Sequence, residues 1–451
     1  MKCIIFYIWI EPIQRRHDLP LPLKPRLNLQ LLLILSVLFF HCSVGWFQGA
    51  HQNPQSQNAS ENSDSGVFAT NIYPNLFSGL LGKSSGETEA IVNRAWQQLF
   101  YGDDQTERIY YPMDPDMAYI SDIVQNDVRS EGMSYGMMIA VQLNKKEEFD
   151  RLWTWAKTYM QHQSGPREGY FSWQNRPDGG IIDPNSAPDG EEYMVMALFF
   201  AAARWGNGTG IYHYRNEAQA ILDAMLSKAE KSDSVDVVTN MFDKVEKQVV
   251  FVPFGEASRF TDPSYHVPHY YELWALWSDK NQDFWTEAAV VSREFFKKAA
   301  HPVTGLMPDY ARFDGSPIDL WSNGYHLHFR FDAWRACMNI AVDYLWFGKD
   351  EWAVTQTNRY LDFFYQQGMD QYKNQYTLEG EPLSEHRSPG LISTNAVACL
   401  AATHPHRTEF VKALWDLPVP SGRYRYYNGV LYMLSLLHVS GNFKIYKPDF
   451  Q

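Results

Sequence analysis

Acidic side chains at the start of apolar helical patterns are the residues of this chain whose type and placement could do chemistry. Glu131 lies where a loop, residues 126–130, meets an apolar stretch, residues 133–143. Apolar surroundings remove water from a carboxyl group and raise its pKa, which keeps it protonated near neutral pH as a general acid requires. Gly132 and Gly136 leave room for close backbone approach. The alternative is a structural glutamate in a first helical turn, where the helix dipole favours it, and composition alone prefers that alternative.

A second acidic side chain stands at the start of an apolar helical pattern. Asp332 begins another apolar helical pattern, and Arg335 follows it by one helical turn, which favours the ionised form of Asp332. The alternative for Asp332 is a structural carboxylate that pairs with Arg335, and the residues alone favour it. A direct ion pair between Arg129 and Glu131 would argue against Glu131 as an acid, because it would lower the pKa of Glu131.

The composition argues against one class of partner and is compatible with another. The chain has 39 basic and 52 acidic residues, a formal charge of −13, and no dense Lys/Arg run after its N-terminal region. Nucleic-acid binding needs cations that displace condensed counterions, so we expect no nucleic-acid partner. Aromatic residues make up 15% of the chain. Their large flat faces suit sugar rings, although a tryptophan-rich helical core explains them equally well.

The N-terminal region predicts a targeting segment. Residues 31–40 are ten uncharged residues, nine of them apolar, with Arg15, Arg16, Lys24 and Arg26 before them and a small-x-small pattern at 43–45. This is the outline of a secretory signal peptide, and it is too short for a spanning helix. We therefore expect a secreted or periplasmic protein with no membrane span after processing. Lipid attachment at Cys42 is a weaker alternative, because residues 39–41 suit it poorly.

The rest of the chain is predicted to form one domain after a leader. Residues 1–47 are the predicted targeting segment, and residues 48–69, rich in Gln, Asn and Ser, are a predicted flexible leader. No linker divides the chain after this point. We therefore predict a single catalytic domain over residues 70–451.

Helical periodicity dominates that domain. Leu152, Trp155, Ala156 and Tyr159 lie at i, i+3, i+4 and i+7, which places them on one face of a helix. The same pattern recurs near residues 218–226, 87–100, 131–143, 192–205, 268–278, 284–299, 332–346, 350–366, 393–402, 408–415 and 428–439. Twelve helices with no clear strand ladder indicate an all-α protein whose helix pairs close into a ring, an α/α barrel.

Cysteines and histidines give no pattern of a metal site. Cys337 and Cys399 lie far apart within helical patterns, and we expect both to be buried free thiols. The histidine pairs are interpreted as hydrogen-bonded or loop residues rather than ligands; they are His266 and His269, and His326 and His328. The chain also lacks a phosphate loop, a Ser-His-Asp elbow and a dinucleotide fingerprint. We therefore expect neither metal nor cofactor.

Residues 127–138, Asp-Val-Arg-Ser-Glu-Gly-Met-Ser-Tyr-Gly-Met-Met, closely resemble glycoside hydrolase family 8. Four later segments resemble that family in the same order; they are residues 187–205, 262–272, 329–335 and 423–428. The resemblance is to the xylanase and oligoxylanase branch, and it runs from about residue 70 to residue 447. The second segment departs from the cellulase form at Pro188 and Glu191.

The resemblance implies an (α/α)6 barrel that hydrolyses glycosidic bonds with inversion and without a metal. It implies that Glu131 is the general acid, that Asp332 is the base that activates water, and that Asp189 holds and helps to distort the sugar at the cleavage point. Inversion requires one protonated and one ionised carboxyl group roughly 6.5–9.5 Å apart, so that water fits between sugar and base. Only the fold can bring Glu131 and Asp332 to that separation.

The resemblance also implies residues that position or bind. Tyr265 and Arg335 would position the water and the base. Trp173 resembles a platform on which a sugar stacks, and Tyr426 in the fifth segment is expected to bind substrate. Without the resemblance, core packing would be the preferred interpretation of Tyr265 and Trp173.

The predicted function is hydrolysis of β-1,4-xylosidic bonds in xylan or xylo-oligosaccharides by a monomer. The alternatives are a β-1,4-glucanase or chitosanase of the same fold, or a non-catalytic carbohydrate-binding protein. Endo and exo action both stay open. Relatives that release xylose from the reducing end carry a Leu-His-Pro turn that blocks the cleft. Here residues 384–391 read Ser-Glu-His-Arg-Ser-Pro-Gly-Leu, with His386 or Arg387 as candidate substitutes.

Overall fold

The computed structural model describes residues 66–229 and 237–448. The predicted targeting segment, Cys42 and most of the predicted leader lie outside these ranges. Among the described residues, none of the helices has the length and apolar character needed to cross a membrane.

Fourteen α-helices lie within the described ranges. They are α1 (Val67–Thr70), α2 (Leu76–Leu81), α3 (Ser85–Tyr101), α4 (Ser130–Gln142), α5 (Lys146–Trp155), α6 (Pro188–Trp205), α7 (Tyr214–Met225), α8 (Pro268–Trp277), α9 (Gln282–Ala299), α10 (Trp334–Phe347), α11 (Trp352–Gln366), α12 (Pro389–Ala398), α13 (Arg407–Asp416) and α14 (Arg425–Val439). All twelve predicted helices are present. The one expected at 393–402 begins earlier because Pro389 occupies its first turn, where proline has the required backbone angle. The short helices α1 and α2 were not predicted.

Burial divides the twelve long helices into two rings. The even-numbered helices from α4 to α14 are buried along nearly all of their length, and in α4 only Glu131 keeps partial exposure. The odd-numbered helices from α3 to α13 bury one face, as amphipathic helices on a surface do. Helices therefore alternate along the chain between an outer and an inner position, which is the (α/α)6 arrangement.

Short strands join the loops at one end of the barrel. They are β1 (Tyr110–Pro112), β2 (Ala118–Ile120), β3 (Val128–Arg129), β4 (Gln174–Asn175), β5 (Ile181–Asp183), β6 (Phe242–Asp243) and β7 (Gln248–Val249). They form three small antiparallel sheets, β1-β2, β3-β4-β5 and β6-β7. Runs of two or three residues are too short for an alternating pattern to reveal, which is why the sequence predicted none. The β3–β4 pair ties the loop before Glu131 to the loop after Trp173.

The packed domain begins a few residues before the predicted boundary at residue 70. Phe68 of α1 lies 5.3 Å from Phe347 between ring centroids. A Cβ on Gly66 would lie 2.1 Å from the backbone oxygen of Trp346, so this close approach requires glycine. Helix α1 therefore packs with the barrel, although three of its four residues fall within the predicted leader. Cys337 and Cys399 are buried free thiols, as predicted.

Candidate active site

One buried arginine contacts all three carboxyl groups that the sequence singled out. The Arg335 side chain lies in the first turn of α10, and its Nη1 is 2.7 Å from Asp189 Oδ2 and 3.2 Å from Glu131 Oε2. Its Nη2 lies 3.1 Å from Asp332 Oδ1. Arg335 also donates a hydrogen bond to the hydroxyl group of Tyr135. The barrel therefore brings together residues from the starts of α4, α6 and α10.

Glu131 has the surroundings that its predicted role needs. Burial raises the pKa of Glu131 to about 7; Arg335 opposes this shift, and the charges of Asp189 and Asp332 add to it. The Tyr426 hydroxyl donates a 3.0 Å hydrogen bond to Glu131 Oε1. Glu131 can therefore hold a proton near neutral pH, as a general acid requires.

Arg129 does not form the ion pair that would have argued against Glu131. Its guanidinium lies 2.9 Å from Asp122 and 3.2 Å from Asp127. It also lies 5.6 Å from the ring centroid of Trp173. Arg129 is therefore held by two other carboxylates and lowers the pKa of Glu131 only as a smaller, through-space effect.

Glycines allow the helix starts to meet. A Cβ on Gly190 would lie 2.5 Å from Ser130 Oγ, so α6 can approach α4 only with glycine there. A Cβ on Gly132 would lie 2.7 Å from the Tyr426 ring. The sequence predicted that Gly132 admits neighbouring backbone, but it is the Tyr426 side chain that fills this space.

The Asp189 carboxyl group is also shifted by its surroundings. Burial raises the pKa of Asp189, and the Arg335 guanidinium opposes that shift.

Asp332 is the most accessible of the three carboxylates. It lies in the turn just before α10, and its side chain is 30% exposed, whereas that of Asp189 is 5% exposed. Because one planar guanidinium touches both Glu131 and Asp332, their contacting oxygens are at most about 9 Å apart. This limit is compatible with the separation of an inverting pair, about 6.5–9.5 Å.

Tyr265 and Trp173 lie beside these groups. Tyr265 ends a buried single-turn helix, Pro263–Tyr265, and its ring centroid is 5.9 Å from the Arg335 guanidinium. Burial raises the pKa of Tyr265 well above its usual value. Trp173 is half-buried, and its backbone oxygen accepts a 3.0 Å hydrogen bond from the Ser130 amide. This bond ties the Trp173 loop directly to the start of α4.

Three site residues were missed by the sequence reasoning. Tyr135 follows Glu131 by one helical turn, and that i+4 spacing could have revealed it. Asp262 lies inside a segment of family resemblance, yet it was given no role. Asp309 lies outside all five segments, and nothing in its local sequence marks it. Burial raises the pKa of both Asp262 and Asp309, that of Asp309 to about 6, and each carboxyl interacts with Asp332.

Comparison with known proteins settles which family this site represents. Residues 118–441 match Glycosyl hydrolases family 8. The chain belongs to this family. The match confirms the predicted family, and with it the class of enzyme: the protein is a glycoside hydrolase.

Similar proteins cover almost the whole described domain. The reducing-end xylose-releasing exo-oligoxylanase Rex8A of Paenibacillus barcinonensis is 45% identical over 384 residues, which is 84% of this chain and 98% of that protein. A reducing end xylose-releasing exo-oligoxylanase of Halalkalibacterium halodurans is 42% identical over 86% of this chain and 97% of its own length. The solved GH8 xylobiose complex from Teredinibacter turnerae has a TM-score of 0.82 and 47% identity, covering 85% of this chain and all of that one. This likeness confirms the (α/α)6 barrel.

Proposed function

We propose that this protein hydrolyses β-1,4-xylosidic bonds of xylan or xylo-oligosaccharides with inversion. The observation that carries the proposal is the contact of Arg335 with Glu131, Asp189 and Asp332, because it gathers one acid, one base and one sugar-holding carboxylate around a single cation. The xylose-releasing relatives and the xylobiose complex support xylose-based chains as the substrate. The N-terminal pattern supports export, which suits a polymer outside the cell.

In the proposed reaction, protonated Glu131 gives its proton to the glycosidic oxygen while the bond from that oxygen to the anomeric carbon breaks. Asp332 takes a proton from a water that attacks the anomeric carbon from the opposite face. The sugar thus gains a hydroxyl group of inverted configuration, and the leaving chain gains a hydrogen. The Arg335 guanidinium holds the three carboxyl groups in place through direct contacts, and Asp189 accepts hydrogen bonds from the sugar that is cleaved.

The loop before α12 favours an open cleft and endo action. It lacks the Leu-His-Pro turn of the reducing-end enzymes. Arg387, a candidate substitute, donates a 2.8 Å hydrogen bond to the backbone oxygen of Met369, and its guanidinium lies 5.3 Å from the Tyr372 ring centroid. Its charged end is thus already engaged within its own loop region. The names of the relatives favour the other mode, release of xylose from the reducing end.

Product analysis of labelled oligosaccharides tests both substrate and mode. We expect xylohexaose labelled at its reducing end to give labelled xylobiose and xylotriose early, because an open cleft accepts the chain in several registers. Proton NMR should show the α-anomer first, as inversion of a β-linkage requires. Labelled xylose as the sole early labelled product would contradict endo action, and faster cleavage of cellohexaose or chitosan oligomers would contradict the proposed substrate.

The raised pKa of Glu131 predicts where activity declines with pH. A general acid works only when protonated, so activity should be present below the pKa and lost as the pH rises through about 7. We expect the basic limb of kcat/KM on xylohexaose to have its midpoint near this value. A profile that stays flat from pH 6 to pH 9 would contradict Glu131 as the acid.

A further inference from the structure

Asp309 lies between a histidine and the turn that carries the proposed base. Its side chain is almost fully buried, and Oδ2 lies 3.1 Å from His326 Nδ1. Its other oxygen, Oδ1, accepts a long 3.4 Å hydrogen bond from the Ala333 amide. Ala333 directly follows Asp332, so Asp309 touches the backbone that places the Asp332 carboxylate.

His326 is itself fixed from several sides. Its amide donates a 3.0 Å hydrogen bond to Asp319 Oδ2, and its ring stacks on Tyr310 at 4.0 Å between centroids. The Tyr310 amide donates to the His326 oxygen at 3.2 Å, and the Asp309 amide donates to the His328 oxygen at 3.0 Å. The two chain segments are therefore paired through their backbones, and the Asp309–His326 contact adds a side-chain bond to that pairing.

We propose that the Asp309–His326 pair is a positioning unit for the base: it holds the turn at Ala333 so that Asp332 faces the attacking water. The inference rests on the proposed role of Asp332. Asp309 does not contact the sugar in this role, because it is buried and its two oxygens lie against His326 and the Ala333 amide. It acts through Asp332 and is a positioning residue.

Several charged groups surround the Asp309 carboxyl group. Asp332 and Asp262 are the neighbouring acids, and Arg330 and His326 the nearby basic groups. Tyr310 and Arg335 complete the surroundings that these acids share. Burial raises the pKa of Asp309 to about 6, and its hydrogen bond with His326 opposes the shift.

Two substitutions test this positioning role. In Asp309→Ala the Ala333 amide loses its acceptor, and we expect kcat to fall about 100-fold, as a small misplacement of a catalytic group does. KM should change less than about 3-fold, because Asp309 does not touch the sugar. Asp309→Asn keeps an oxygen for the Ala333 amide, so kcat should stay within about 5-fold of the wild type.

Asp343→Ala is the matched control. Asp343 is a buried aspartate bonded to Arg293, outside the set of residues joined by Arg335. Its loss should lower the thermal midpoint and leave kcat of the folded enzyme within about 3-fold. Retention of kcat in Asp309→Ala, or a fall of kcat in Asp309→Asn as large as that in Asp309→Ala, would overturn the proposal. If Asp309→Ala does not fold, His326→Ala, which removes the other member of the pair, takes its place with the same expected fall in kcat and small change in KM.

Failure of this proposal can be told apart from failure of the proposed function. The wild type is first assayed on xylohexaose and cellohexaose, and the variants are then measured on the one that it hydrolyses. If the wild type cleaves only cellohexaose, the proposed substrate is wrong. The kcat values of Asp309→Ala and Asp309→Asn on cellohexaose then still decide the role of Asp309.

Discussion

Glu131→Gln is expected to lower kcat on xylohexaose by about 1,000-fold, within the range for loss of a positioned general acid. The amide has the shape of the carboxyl group, and it can still accept the hydrogen bond from Tyr426. It cannot give a proton to the glycosidic oxygen. Binding should survive, so KM should stay within about 5-fold, as expected when only transition-state stabilisation is removed.

The leaving group distinguishes an acid from a base. The dinitrophenolate group of a dinitrophenyl β-xylobioside leaves with little need for protonation. Glu131→Gln should therefore hydrolyse this substrate with a kcat within about 10-fold of the wild type. Asp332→Asn should lose at least about 100-fold on both substrates, since water activation is needed for each. Equal losses of Glu131→Gln on the two substrates would contradict its assignment as the acid.

Glu192→Gln is the control for these measurements. Glu192 lies on α6 near the site but is fully buried, and its Oε1 accepts a 2.6 Å hydrogen bond from the Tyr271 hydroxyl. Burial raises the pKa of Glu192 well above its usual value, so a neutral amide replaces a neutral carboxyl group. We expect kcat within about 3-fold of the wild type. If Glu131→Gln hydrolysed xylohexaose as fast as Glu192→Gln and the wild type, the Glu131 carboxyl group would not be essential for catalysis.

Arg335→Lys is expected to lower kcat on xylohexaose by about 100-fold or more. Without the guanidinium the three carboxyl groups shift, and a shift of about 1 Å in a catalytic group is enough for a loss of that size. A lysine ammonium is a point charge and cannot reproduce the planar fork that contacts Glu131, Asp189 and Asp332. Arg335 lowers the pKa of Glu131, so weakening that contact should raise this pKa further. Glu131 would then stay protonated to higher pH, and the basic limb of the activity profile should move upward.

Arg293→Lys separates this catalytic effect from stability. Arg293 is also a buried arginine, and it lies 2.7 Å from Glu272 and 2.8 Å from Asp343, away from the three site carboxylates.

The stability contribution is measured with methionine variants. Arg335→Met and Arg293→Met each remove a guanidinium charge, and each should lower the free energy of unfolding by about 3–5 kcal/mol, because buried carboxylates lose their partner. Denaturant unfolding measures this. A comparable fall in kcat for both lysine variants would contradict a special role for Arg335.

The fold was largely predictable because helices carry their pattern locally. The stretch 152–159 shows its buried face through spacing alone, and the structure has a helix over Lys146–Trp155. The start of α12 was misplaced because its residues are buried on nearly all sides, so no polar face marks the boundary. Helices α1 and α2 span only four and six residues, too few for a periodic pattern to show.

The candidate site was predictable only where a residue lies within a recognisable segment. Glu131, Asp189 and Asp332 occupy such segments, and the structure gathers them around Arg335. Asp309 has an ordinary local sequence, and its contact with the Ala333 amide exists only because two distant loops pair. No local pattern reports a contact of that kind.

The sequence by itself determined the twelve helices, because the spacing of apolar residues along the chain predicts each of them. It also determined the family and the carboxyl groups at the helix starts, because contiguous motifs contain them. Tertiary structure decided what those carboxyl groups can do. Desolvation and neighbouring charge set the pKa of Glu131 near 7, and both depend on residues hundreds of positions apart. A carboxyl group becomes an acid through its surroundings, and only the closed barrel supplies them.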